Sequence, residues 1–162
     1  MFPHAMADDD VILDHPNREK ASSKAARAIV VLLLLVSALL IFVVTAGGWA
    51  ELQGAQIISI GYIVVYLVMA FYVARWNRGV LPVAAALAVL FAVVAAVAAP
   101  AWFERDKAGF DDPGLDPSML GLLTAIIVPV QLLLIAFAMR GFQQQWNVEV
   151  EVAPDEPTAQ PA

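Results

Sequence analysis

The stretch AIVVLLLLVSALLIFVVTAGG, Ala28–Gly48, decides the fold. It follows Arg18, Lys20, Lys24 and Arg27 and carries no charge of its own. A hydrocarbon core of about 30 Å takes about 20 apolar residues in helix. At 1.5 Å per residue, a stretch of about 23 residues reaches about 34 Å, enough to cross with a modest tilt. Three further charge-free stretches pass the same test, so that the set is Ala28–Ala50, Leu52–Ala74, Gly79–Phe103 and Pro117–Met139. A helix buried in a water-soluble protein would show charges along one side at helical spacing, and none of these does. With 61% hydrophobic residues and a mean hydropathy of +0.76, the sequence reads as an all-α polytopic membrane protein. The expected architecture is a four-transmembrane-helix, up-down-up-down bundle with spans at about 28–48, 55–74, 80–99 and 118–139.

Outward from the first span, residues 1–26 read as a partly disordered polar tail, made acidic by Asp8, Asp9, Asp10 and Asp14. Met6 offers a second start, MADDDVILDHP. Pro16 and Asn17 mark a helix boundary. The basic run and the small residues Ala46–Gly48 imitate a signal peptide, but the apolar segment exceeds the 7–15 residues of an h-region and reads as a retained anchor. Gly47, Gly48 and Gly54 mark a short turn, so the first two spans are antiparallel neighbours. Arg75-Trp76-Asn77-Arg78-Gly79 makes the next turn, and Pro82 sits in the first turn of span three, where its missing N–H breaks no helical bond. Span three is expected to stop at Pro100.

The connection 100–117, PAWFERDKAGFDDPGLDP, is rich in Pro, Gly and Asp, which means turns. Its Glu104, Asp106, Asp111, Asp112 and Asp116 do not follow the alternation of an EF-hand loop, so a solvated acidic loop is expected. GFQQQWN is expected to prolong span four, with Phe142 and Trp146 on one face. VEVEV at Val148–Val152 alternates like a strand with no partner in sight, and 147–162 reads as a disordered acidic tail.

Basic residues near the span ends set the orientation. Arg18, Lys20, Lys24, Arg27, Arg75, Arg78 and Arg140 fall on one side, against Arg105 and Lys107 on the other. Both termini are therefore expected in the cytoplasm of a cell-membrane protein, with loop 100–117 outside. Trp76 and Trp146 would mark the inner boundary, Trp49 and Trp102 the outer one.

No Asp, Glu, Lys, Arg or His lies well inside a span. Intramembrane ionisable groups are the usual mark of ion pathways and proton relays, so a carboxylate-dependent antiporter is disfavoured. The chain has no cysteine, which removes thiolate metal sites and disulfide chemistry. Its histidines, His4 and His15, precede the first span, so the chain alone lacks helix-borne haem ligands. No cofactor and no metal are expected. The net charge of −6 forms no basic face for nucleic acid.

Two sets of residues stand out within the spans. Ala84, Ala88, Ala92 and Ala96 form a stripe at strict i+4 spacing, a small-residue face that lets helix backbones approach; a genome that uses alanine freely would give the same pattern. On this stripe the third span is expected to be central. Ser37, Tyr66 and Gln131 count to the midplane, with Tyr62 and Thr124 in the outer third. Ser59, Tyr62 and Tyr66 share one face, and Thr124 and Gln131 another. An unpaired amide or hydroxyl in hydrocarbon costs roughly 2–7 kcal/mol, so both faces are expected to turn inward and pair across the bundle. Pro129 should kink span four and would place a quinone or solute pocket beside Gln131 and Tyr66; a proline merely tolerated in lipid gives the same sequence.

The leading expectation is a non-catalytic membrane protein, an accessory or structural subunit whose partners are the lipid bilayer and a membrane protein or a second copy. A small transporter or channel for a neutral or lipophilic solute is the first alternative. A cofactor-free subunit of a respiratory assembly is the second. No residue pair inside the spans offers general acid–base catalysis.

Overall fold

The computed structural model describes residues 12–109 and 113–152. The elements are β1 (Ile12–Asp14), α1 (Pro16–Glu19), α2 (Ala21–Gly47), α3 (Ala55–Ala74), α4 (Val80–Glu104), α5 (Pro117–Gln143) and β2 (Val150–Val152), with a 3-10 turn at Trp49–Glu51. The helices α2 to α5 are each long and apolar enough to cross a membrane. The alternative start at Met6, the acidic run at Asp8–Asp10, and residues 153–162 of the expected acidic tail lie outside the described residues.

Helix boundaries differ from the expected ones in physically instructive ways. Pro16 opens α1, and Lys20, with extended backbone at φ −62° and ψ 133°, separates it from α2. Helix α2 thus starts at Ala21, so Lys24 and Arg27 ride its first two turns. Helix α4 does not stop at Pro100 but runs on to Glu104. A proline removes one bond, to the carbonyl four residues back, and crowds that carbonyl. Pro100 and Ala96 both lie on the exposed side, where the crowding meets no packed neighbour. The extra turn carries Trp102 into the interior. Helix α5 likewise continues through Pro129. Its start is capped by Asp116, whose carboxylate accepts from the Ser118 amide at 2.9 Å, the Met119 amide at 3.4 Å and the Ser118 hydroxyl. The two Ser118 donors stabilise the ionised form and hold the Asp116 carboxyl below its usual range.

The packing hub is α5, which lies extensively against α4 and also against α2; α2 in turn packs on α3. Helix α4 meets α3 only slightly. The expectation of a central third span is therefore corrected: the fourth span holds the bundle together. The small-residue face is corrected as well. Ala84, Ala88 and Ala92 are buried, but Ala96 is exposed, and the face continues through Ala95 and Ala99. Steps of four residues turn about 400° at 3.6 residues per turn, so a strict i+4 row drifts about 40° per step and leaves the interface after three.

Segments outside the spans close one end of the bundle. The strand at Val150–Val152 does have a partner: β1 pairs with it antiparallel, Ile12 opposite Val152 and Asp14 opposite Val150. Two three-residue strands are marginal alone. Here Asn17 Nδ2 donates to the Gln145 carbonyl at 3.1 Å and Arg18 Nε to the Trp146 carbonyl at 2.9 Å, pinning the two tails together. Trp146 does not extend α5. The helix ends at Gln143, and Gln145 at φ +49° reverses the chain. Trp146 then tucks in, fully buried, at right angles to Trp76 with ring centroids 5.3 Å apart. Gly141 leaves the room: a Cβ there would lie 3.0 Å from the indole.

Candidate functional site

Three side chains link three helices near the middle of the bundle. Gln131 on α5 is fully buried; its Oε1 accepts from the Tyr66 hydroxyl on α3 at 2.8 Å, and its Nε2 donates to Ser37 Oγ on α2 at 2.9 Å. Ser37 passes the chain on by donating to the Leu33 carbonyl at 2.7 Å. Each group sits where hydrophobic periodicity turns its face inward, and each would be costly there without a partner. A side-chain amide is the natural junction, because it has acceptor and donor at opposite corners.

The other expected polar residues behave differently. Thr124 is buried but does not reach across the bundle; its hydroxyl donates to the Leu120 carbonyl one turn back, at 2.7 Å. That acceptor is always within reach of a helical threonine. Tyr62 is only half-buried. It stands edge-on to Tyr66 at 5.7 Å and lies against Phe91 of α4 at 4.6 Å between centroids. Pro129 is exposed. Two residues along a helix turn about 200°, so the exposed Pro129 lies on the opposite side of α5 from the buried Gln131.

Beyond the Tyr62–Phe91 contact, away from the terminal strands, the slight α3–α4 contact opens into a cleft of about 230 Å³. All four long helices contribute: Ile41 and Thr45 from α2, Ser59 from α3, Ala95 and Trp102 from α4, and Thr124 and Ile127 from α5. Sequence reading placed Ser59 and Thr124 on inward faces, but not the cleft, because the α3–α4 separation is a property of the packed bundle. The mouth lies between Ile58 and Val94, which are 64% and 56% exposed. Past the same end, Arg105 pairs with Glu51. Trp102 approaches the chain so closely that a Cβ on Gly48 would sit 2.5 Å from its ring, and the Leu115 amide donates to the Gly47 carbonyl at 3.1 Å.

At the strand-covered end, arginines terminate the helices. Arg27 Nη1 donates to the Ala74 carbonyl at 3.0 Å with its guanidinium 4.2 Å from the Trp76 ring. Arg78 Nε donates to the Phe142 carbonyl at 2.7 Å and its Nη1 to Asn147 at 2.9 Å, again stacked on a ring, Phe142. These carbonyls are among the last four of α3 and α5, which have no partner inside their helices. A cation there also meets the negative end of the helix dipole.

Among the described residues, no three His, Asp or Glu side chains gather into a metal-holding group. What the bundle offers is a sealed polar junction and an apolar cleft, framed by four helices able to cross a membrane. No protein-family model matches the chain, and no curated protein or solved structure matches it.

Proposed function

We propose that the chain is a multi-pass protein of the cell membrane, an up-down-up-down bundle with both termini in the cytoplasm, acting without catalysis as an accessory or structural subunit. The observation that carries this reading is the outward face of the bundle. Leu32, Leu39, Phe42, Ile57, Leu90, Val97 and Leu122 are all more than half exposed, while the amide of Gln131 is wholly buried. Monomers in water rarely present contiguous apolar patches beyond a few hundred Å²; in a bilayer this is the expected surface. The cytoplasmic placement rests on Arg18, Lys20, Lys24, Arg27, Arg75, Arg78 and Arg140 against Arg105 and Lys107. The subunit reading rests on the Tyr66–Gln131–Ser37 junction, which ties three helices together with its side chains hydrogen-bonded to one another and suits a rigid scaffold. Its partner is a membrane protein or a second copy.

The test is fractionation followed by purification. The protein should stay with membranes through alkaline washing, a reporter after Ala162 should be active only in the cytoplasm, and a tagged chain should co-purify with a larger complex. Recovery from mild detergent as a lone monomer, with no partner by mass spectrometry, would argue against the subunit reading. The α2–α5 cleft favours a second reading, a small carrier or channel for a lipophilic or neutral solute. In that case a reconstituted chain alone would move such a solute across vesicles.

A further inference from the structure

We propose that the cleft between α2, α3, α4 and α5 is a binding site for one acyl chain of a membrane glycerolipid, whose ester carbonyl takes the Thr45 and Ser59 hydroxyls near the end of α2 and the start of α3. The inference rests on the membrane placement proposed above.

The hydroxyls are the first observation. Ser37 and Thr124 donate to carbonyls of their own helices. Among the described residues, Thr45 and Ser59 make no side-chain hydrogen bond, and neither oxygen is sealed off; the one sealed, unpaired side-chain oxygen is Ser23 Oγ. Thr45 is nonetheless 5% exposed, and it lines the cleft together with Ser59. Both residues therefore bring to the cleft lining a hydroxyl that has no side-chain hydrogen bond to a described residue. An unpaired hydroxyl in an apolar surrounding is costly, so the cleft asks for an acceptor.

Depth is the second observation. Thr45 lies two residues inside the end of α2 at Gly47, and Ser59 four residues inside the start of α3 at Ala55. At 1.5 Å per residue these are about 3 and 6 Å below the helix ends. In a spanning helix that is where the hydrocarbon core gives way to the headgroups, the level at which a glycerolipid carries its esters. Below it the lining is mostly hydrocarbon, Ile41, Ala95, Ala98 and Ile127, down to Phe91, with the Thr124 hydroxyl among them.

The lining decides the kind of occupant. Its polar groups are Thr45, Ser59, the Trp102 indole and Thr124, whose hydroxyl already donates to the Leu120 carbonyl; the rest is apolar and suits a hydrocarbon chain better than a column of water. A methylene chain is narrow, apolar and already the solvent on the side where Ile58 and Val94 part.

The experiment is native mass spectrometry of the full chain, purified in mild detergent and then offered dioleoyl-phosphatidylglycerol as the probe. The wild type should retain one phospholipid. Ala98→Phe, which fills the cleft, should cut retention at least about tenfold, because a filled cavity has no room for the chain. Val97→Phe, at a neighbouring position that is 73% exposed, should retain the lipid as the wild type does. Thr45→Val combined with Ser59→Ala should weaken retention about tenfold, since each hydrogen bond in lipid is worth about threefold. Should Ala98→Phe fail to fold, Ala55→Phe blocks the mouth from α3. Equal retention in the wild type and the filled variants, equal losses at positions 97 and 98, or retention of a lipophile without an ester would each overturn the proposal. A wild type that needs detergent yet keeps no lipid removes this inference alone. A protein found in the supernatant without detergent removes the membrane placement itself.

Discussion

Removing the amide of Gln131 tests the polar junction most directly. Gln131→Leu keeps the side chain close in volume but deletes the acceptor of Tyr66 and the donor to Ser37, which lie at 2.8 Å and 2.9 Å. Ser37 still donates to Leu33, so its loss is slight. The Tyr66 hydroxyl, fully buried, is left with nothing. An orphaned buried group costs about 1–3 kcal/mol. Against that, the leucine gains by not having to bury an amide. The net expectation is destabilisation of about 1–2 kcal/mol. Tyr66→Phe keeps the ring edge-on to Tyr62 and should cost a similar amount, because it orphans the Gln131 oxygen. The double variant is the sharper measurement. With both partners apolar there is no group left to satisfy, and such pairs approach neutrality. The two single effects should therefore fail to add, with a coupling of about 1 kcal/mol or more. The assay is reversible unfolding in mixed micelles, or steric trapping, on the wild type, both single variants and the double. Single effects that add within about 0.3 kcal/mol would refute the reasoning, and so would a Gln131→Leu variant more stable than the wild type.

Ala88→Leu should destabilise by about 1–3 kcal/mol through overpacking against α5, whereas Ala96→Leu, on the exposed side of α4, should stay within about 0.5 kcal/mol; thermal unfolding in detergent separates the two. Trp146→Ala removes a fully buried indole from its perpendicular partner Trp76 and should cost about 3–5 kcal/mol, read as proteolytic opening of the terminal strands before the spans unfold. For Asp116 the folded carboxyl is held below its unfolded value by Ser118. Its contribution is therefore complete above the unfolded pKa and is lost as pH falls through the folded one. The protection factors of the Ser118 and Met119 amides, corrected for intrinsic exchange, should fall in that acid window in the wild type and stay flat across it in Asp116→Ala.

The four long helices were legible because each rests on a long stretch without charge, apolar enough to cross a membrane. Depth was legible too, since counting at 1.5 Å per residue puts Ser37, Tyr66 and Gln131 on one level. Which acceptor each donor chooses was not. Thr124 has a carbonyl of its own helix at 2.7 Å, and no spacing rule says whether a threonine will prefer it. Breaker residues misled where their cost falls on an open face, as at Pro100. Of the terminal strands, Val148–Val152 showed its alternation, but its partner Ile12–Asp14 did not, because three residues carry too little alternation to register. Their stability comes from Asn17 and Arg18 reaching carbonyls of the distant Gln145 and Trp146, a long-range contact that no local pattern encodes.

The placement of small residues explains why one seam of the bundle closes and another stays open. The inward face of α4 carries Ala84, Ala85, Ala88, Ala92, Ala95 and Ala99, and it faces α5, where Gly121 admits the Phe103 ring so closely that a Cβ would lie 2.9 Å from it. Small residues let helix backbones approach closely, and α4 packs most extensively on α5. Helix α3 offers no such row of alanines. Its buried residues are Tyr66, Met69, Ala70 and Val73, with Tyr62 half-buried, and Tyr62 meets Phe91 ring to ring at 4.6 Å. Two rings in series act as a spacer between α3 and α4, and on the side away from the terminal strands Ile57 and Ile58 stand largely exposed, 79% and 64%, and leave the gap so made unfilled. The cleft is thus the geometric remainder of an alanine-rich helix drawn to one neighbour and propped off the other. On this argument Phe91→Ala should let α3 and α4 approach, raising cross-linking between cysteines placed at Val64 and Val83, which line the same seam. Unchanged cross-linking would mean that the rings fill the seam without setting its width.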